Sequence, residues 1–147
     1  MVERLLAEGH EVVGLDNESA ESNDKFHWNP SAENHKADIS HKESIRNLFE
    51  GVDYVFHMAA ESRIMNTIGN PVKAVTTNSL GTSAILQCAR EAGCKRVVYS
   101  STSSVYGRNE APNNESMNPD CLNPYSSSKY AGEMFCRNYS ELFGLQT

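Results

Sequence analysis

The chain has 147 residues and a formal net charge of −6, from 13 basic and 19 acidic side chains. That length gives one domain with a substantial core, not two lobes. The acidic balance and the lack of any Lys/Arg run disfavour a nucleic-acid-binding face, and no apolar run approaches the ~18 residues of a membrane span.

Residues 1–8 read as the end of an amphipathic helix closed by Gly9, and 11–15 as a buried strand stopping at Asp16. A long polar loop follows at 17–34, then a short strand at 35–38. Ser40 and Glu43 have capping-box spacing for a helix over 41–50, ended by Gly51. Residues 52–58 form a second buried strand, followed by the small Ala59 and Ala60. Asn70 and Pro71 are cap and first residue of one long helix ending at Gly93. Residues 96–99 are a third strand, and Asn123-Pro124 opens a final helix to about Phe143. Strands alternating with helices predict a doubly wound, Rossmann-like parallel sheet covered on both faces. No Gly-x-Gly-x-x-Gly run occurs, so the first strand and its Gly-rich turn are expected to be lacking.

Cys88, Cys94, Cys121 and Cys136 include no Cys-x-x-Cys pair, so no metal site is expected and a reduced, cytoplasmic setting fits best. The segments SSTSSVYG (100–107) and NPYSSSKYAGE (123–133) carry the chemistry. Tyr125 and Lys129 stand four apart on one helical face, behind a hydroxyl-rich strand end. A free phenol has a pKa of ~10, and lowering it by about three units needs roughly 4 kcal/mol. One positive charge at about 5 Å supplies roughly 3 kcal/mol at an effective dielectric of ~20. The first helical turn adds a dipole that favours the phenolate. Tyr125 as base, Lys129 as its cation and one hydroxyl among 100–104 therefore point to oxidation of an alcohol by a nicotinamide. The plainer reading of the spacing is a half-buried aromatic and a surface lysine. Asp16, at a strand end, has the placement of a carboxylate that accepts from both ribose hydroxyls and disfavours a 2′-phosphate, hence NAD; Asn17 adjoins it. The plainer reading there is an Asp-Asn turn.

EGHEVVGLDN (8–17), KADI (36–39), DYVFHMAAES (53–62), NSLGT (78–82), KRVVYSSTSSVYG (95–107) and NPYSSSKYAGE run in order along the chain. Together they resemble the extended short-chain dehydrogenase/reductase family, in its nucleotide-sugar epimerase/dehydratase branch and most closely its UDP-glucose 4-epimerase group. The resemblance implies a catalytic set of Thr102, Tyr125 and Lys129. It implies NAD contacts from Asp16, Asn17, Asp38, Ile39, Met58, Ala59, Ala60, Asn78, Ser100, Tyr125 and Lys129. Asn78 is expected near the inner ribose or as a buried bridge to a strand backbone; Ser100 serves the cofactor or the backbone. His57 is expected to be a satisfied structural histidine.

The implied reaction is epimerisation of a nucleotide sugar, a UDP-hexose, at C4. A dehydratase or decarboxylase of the same branch is the rival. Ser103 and Ser104 follow Thr102 where dehydratases usually carry acidic residues, which favours epimerisation. A fragment unable to hold NAD is the third reading. The chain is expected to be truncated at both ends: a partial NAD-binding domain over 1–147 without a C-terminal sugar lobe. Alone it is expected to be poorly stable and to bind NAD weakly. No membrane or nucleic-acid partner is expected, and the resemblance leaves a homodimer open for a full-length protein.

Overall fold

The computed structural model describes residues 1–20 and 26–147. Helix α1 (Val2–Ala7) leads into strand β1 (Val13–Asp16), and a polar loop returns the chain to β2 (Glu33–Lys36). The strands pair in parallel, Val13 opposite Glu33 and Asp16 opposite Lys36. Of the expected loop at 17–34, residues 21–25 lie outside the described residues.

β2 starts two residues before the expected strand at 35–38, which leaves Asp38 in the following loop. Asp38 then takes over the local hydrogen bonding. Its Oδ1 accepts from the Ser40 amide at 2.8 Å and the Ser40 hydroxyl at 2.7 Å. Ser40 therefore does not cap a helix, and the expected helix over 41–50 is corrected. A short α2 (Lys42–Ile45) starts from His41 with no side-chain cap and gives way to a 3₁₀ turn (Arg46–Phe49).

Strands β3 (Tyr54–His57) and β4 (Arg96–Tyr99) form a second parallel pair, with His57 opposite Tyr99. Between them come α3 (Ile64–Gly69), α4 (Pro71–Ala74) and α5 (Gly81–Ala92). The Asn70 side chain caps α4 by accepting from the Lys73 amide at 3.0 Å. The single helix expected over 71–92 is interrupted by a π-helical stretch (Val75–Leu80). Such wide turns occur mostly where a helix serves a local task, and here Asn78 bridges three groups from within it. Helix α6 (Pro124–Phe143) has the expected bounds, a full capping box between Asn123 and Ser126, and a left-handed stop at Gly144, φ 71°.

The order among the described strands is β2-β1, then β3-β4, in two separate two-stranded sheets. These are the two flanks of a doubly wound sheet, whose first strand would lie between β1 and β3. The expected doubly wound parallel fold lacking its first strand is what the structure shows, its described strands falling in two parallel pairs. Among the described residues nothing pairs with the inner edges of β1 and β3. Tyr54, Phe56 and Val98, on one face of the second half sheet, remain exposed.

The core lies on the other face. Ile45, Phe49, Ile85, Leu86, Val97, Cys136 and Leu145 form one cluster under α5 and α6. Burying a side chain the size of Leu86 contributes about 1.5–3 kcal/mol. Ile39 reaches back from the first half and seats on α5 at Gly81, where an added Cβ would lie 2.6 Å from Ile39 Cδ1.

Candidate functional site

Two groups of side chains carry the chemistry. The first lines a cavity of about 190 Å³ at the C-terminal ends of β1 and β3, where the two half sheets face each other. Asp16, Asn17, Ile39, Met58, Ala59 and Ala60 line it, with Glu61 to Arg63 at its rim. Asp16 Oδ1 accepts from the Glu18 amide at 2.6 Å. Asp38 is set behind Asn17, whose Nδ2 donates to Asp38 Oδ2 at 3.1 Å. Burial acts to raise the Asp38 pKa, but the bonds from Ser40 and Asn17 together outweigh it and hold the carboxyl below its usual range. Ala59 and Ala60 keep the strand end low, so a ligand can approach the backbone there.

The second group surrounds the N-terminal half of α6. Tyr125 stands in the first turn, half-buried. Lys129 follows one turn later and is only 3% exposed. Its Nζ lies over the Tyr99 ring, 4.2 Å from the centroid. The Tyr99 hydroxyl donates to the Lys129 carbonyl at 3.1 Å. Burial pulls the Lys129 ammonium down to about 8, opposed by Cys136 and Glu133. Burial raises Cys136 to about 11.

The hydroxyls of 100–104 divide by task. The Ser100 amide donates to the His57 carbonyl at 3.1 Å and so extends the β3–β4 ladder. The Ser101 hydroxyl donates to the Glu133 carboxylate. Thr102 caps the 3₁₀ turn Ser103–Tyr106, its Oγ1 accepting from the Ser104 amide at 3.2 Å. That turn packs against α6.

Asn78 ties the two groups together. Its Oδ1 accepts from the Glu61 amide at 2.8 Å, and its Nδ2 donates to the Glu61 carbonyl at 3.1 Å and to Ser128 Oγ at 2.9 Å. Asn78 is thus a buried bridge between the loop after β3 and α6. His57 is buried and bonds Thr82 Oγ1 at 2.8 Å through Nε2. Burial and the Lys129 charge push its pKa down to about 4, so it is neutral at pH 7. Thr102, Tyr125 and Lys129 do not line the 190 Å³ cavity; Asn78 and Ser128 are the physical link between the two groups.

The sequence reading passed over Tyr99, Ser128 and Glu133. Glu133 carried a usable signal, since it stands one helical turn after Lys129. Tyr99 carried none, because a tyrosine closing a strand reads as ordinary packing.

The NAD dependent epimerase/dehydratase family matches residues 1–147 in full. The chain belongs to this family. A UDP-glucose 4-epimerase of Mycolicibacterium smegmatis is 37% identical over 157 residues, covering 99% of this chain and 48% of that protein. The UDP-glucose 4-epimerase of Thermus thermophilus, solved with NAD, superposes with a TM-score of 0.89 at 29% identity, over 98% of this chain and 47% of that one. A dTDP-glucose 4,6-dehydratase of Streptomyces venezuelae, also solved with NAD, gives 0.85 at 30% identity, over 98% and 48%. The chain spans about half the length of these relatives.

NAD is the family's cofactor. The first group fits part of it. A carboxylate at a strand end and small residues beside it suit an adenosine and its ribose diol. The cavity, at about 190 Å³, is smaller than the roughly 300–1,000 Å³ of whole small-molecule sites. It has room for one end of a dinucleotide, and the 147 residues contain no Gly-rich turn to cradle the pyrophosphate.

Proposed function

We propose that this chain is the NAD-binding and catalytic part of a nucleotide-sugar 4-epimerase acting on a UDP-hexose. The observation that carries the reading is α6 itself. Its Asn123 capping box starts the helix so that Tyr125 falls in the first turn, and Lys129 lies one turn on, out of water. Tyr125 removes the proton from the sugar C4 hydroxyl. The helix N-terminus and the Lys129 ammonium bring positive potential to this turn of α6. Thr102 bonds the same hydroxyl and orients it. NAD held by these residues would supply the acceptor for the C4 hydride and the donor for its return to the opposite face. Tyr125 then gives its proton back to the C4 oxygen. Asp16 and Asn17 hold the adenosine ribose, Asp38 and Ile39 flank the adenine, and Met58 to Ala60 form the wall beneath. Asn78 acts by fixing the cavity rim to α6, and Ser100 by fixing the strand end from which Thr102 departs.

The likeness to a dehydratase makes elimination the second reading. Against it, Ser103 and Ser104 supply no carboxylic acid after Thr102. The test uses the longer protein that carries this segment, incubated with UDP-glucose or UDP-galactose and no added cofactor. Interconversion is expected, reduced by roughly 10²–10⁴-fold in Tyr125→Phe. Formation of a 4-keto-6-deoxy sugar without interconversion would replace epimerisation by dehydration.

A further inference from the structure

The sequence offers no role for Tyr99, yet three observations converge on it. Its ring face carries the Lys129 ammonium at 4.2 Å. Its hydroxyl donates to the carbonyl of the same lysine at 3.1 Å. Helix α6 is notched to receive it: at Gly132 an added Cβ would lie 2.6 Å from Tyr99 Cζ and still closer to the hydroxyl oxygen. One aromatic residue thus grips both ends of Lys129, the main chain and the charged tip.

We propose that Tyr99 is the positioning residue of Lys129, holding the ammonium over its ring so that a buried cation keeps its charge and its aim beside Tyr125. The proposal deepens the epimerase reading and rests on it for the role of Lys129.

The physical case starts from burial. An ammonium taken out of water tends to lose its proton. A ring face within about 6 Å opposes this, because the negative face of the aromatic quadrupole attracts a cation, and more strongly when both are desolvated. The other groups around Lys129 lie beside the ring rather than in its place. On α6, Glu133, which accepts from Ser101, and Cys136 also favour the ammonium. From β3, His57 lies beside Tyr99 in a tilted contact, with ring centroids 5.4 Å apart, and is itself neutral. Thr82 donates to the Asn78 carbonyl at 2.5 Å, so His57 donates to Thr82 through Nε2 and its ring orientation is fixed. Tyr99 is therefore flanked by an oriented, uncharged ring and presents a face to the lysine.

Fluorination tests this without changing shape. In the complete chain labelled with ¹³C-lysine, the Lys129 Cε resonance is assigned by its loss in Lys129→Arg and titrated by NMR. Tyr99→Phe keeps the ring and should leave the Lys129 pKa within roughly 0.3 units. Replacing residue 99 by trifluoro- and then pentafluorophenylalanine strips charge from the ring face. The pKa should fall in steps, by roughly one unit in total. Thermal melts of each variant establish that it is folded, and the trifluoro variant alone still decides the sign if the pentafluoro variant is not. No dependence on fluorination, or a full drop already in Tyr99→Phe, would overturn the proposal. The titration needs neither NAD nor sugar. A fluorine-dependent shift without epimerase activity would reject the function and keep the clamp; activity without the shift would do the reverse.

Discussion

The first 38 residues and the remaining 109 are built on different terms. Among the described residues none before Ile39 is buried, whereas all the buried core and every buried polar bridge lie from Ile39 onward. β1 and β2 are joined by four register pairs and little else. β3 and β4 have two long helices laid over them. The difference follows the proposed division of labour. The lightly packed half carries Asp16 and Asn17, which would have to admit a ligand. The dense half carries Tyr125 and Lys129, whose chemistry depends on fixed geometry and the exclusion of water.

The sharpest way to break this contrast is a pair of truncations. Leu86→Ala, in the dense half, should lower the free energy of unfolding by about 3–4 kcal/mol, and Leu15→Ala, half-buried in β1, by about 1 kcal/mol. Urea unfolding measures both; equal losses would mean that the halves share one core.

Acid should act on the dense half next. His57 has a folded pKa of about 4 against an ordinary value of 6.5, so the unfolded chain takes up its proton first as the pH falls. Its stabilising contribution is complete above pH 6.5 and is lost progressively down to about pH 4, by about 3 kcal/mol in all. Urea titrations at pH 7.5 and 4.5 should show the loss, and His57→Gln should flatten it.

The smallest effect has an unusual sign. Lys129, drawn down to about 8, is charged at pH 7 in a place that disfavours charge. Lys129→Met should raise the stability of the chain by about 1–2 kcal/mol at pH 7 while abolishing the activity of the longer protein. A destabilised Lys129→Met would show that the cation contributes more to the fold than to the chemistry.

What the sequence revealed and what it hid follow the same physical line. Helix α6 was legible because its start signals are local: Asn123 as cap and Pro124 at the first position. β2 was misplaced by two residues because Glu33, Asn34, His35 and Lys36 are an exposed polar strand with no alternation to read. Ser40 misled because capping spacing is necessary but not sufficient; the nearby Asp38 competed for the same donors. The π-helical stretch stayed hidden because its cause is Asn78 reaching Glu61 and Ser128, contacts far along the chain. The gathering of Asp16, Asn17, Ile39 and Met58 around one cavity was legible only through family resemblance, since no local pattern joins four separate segments.

The facing edges of β1 and β3 have one last consequence, for handling rather than catalysis. Each presents an unbroken row of peptide donors and acceptors, with no proline or bulge in Val13–Asp16 or Tyr54–His57 to blunt it. Such rows recruit other backbones in solution. Against that pull the chain sets a net charge of −6, a repulsion that added salt weakens. Its solubility should therefore fall with rising ionic strength, a colloidal signature of open strand edges that a fully paired sheet of the same composition would not share.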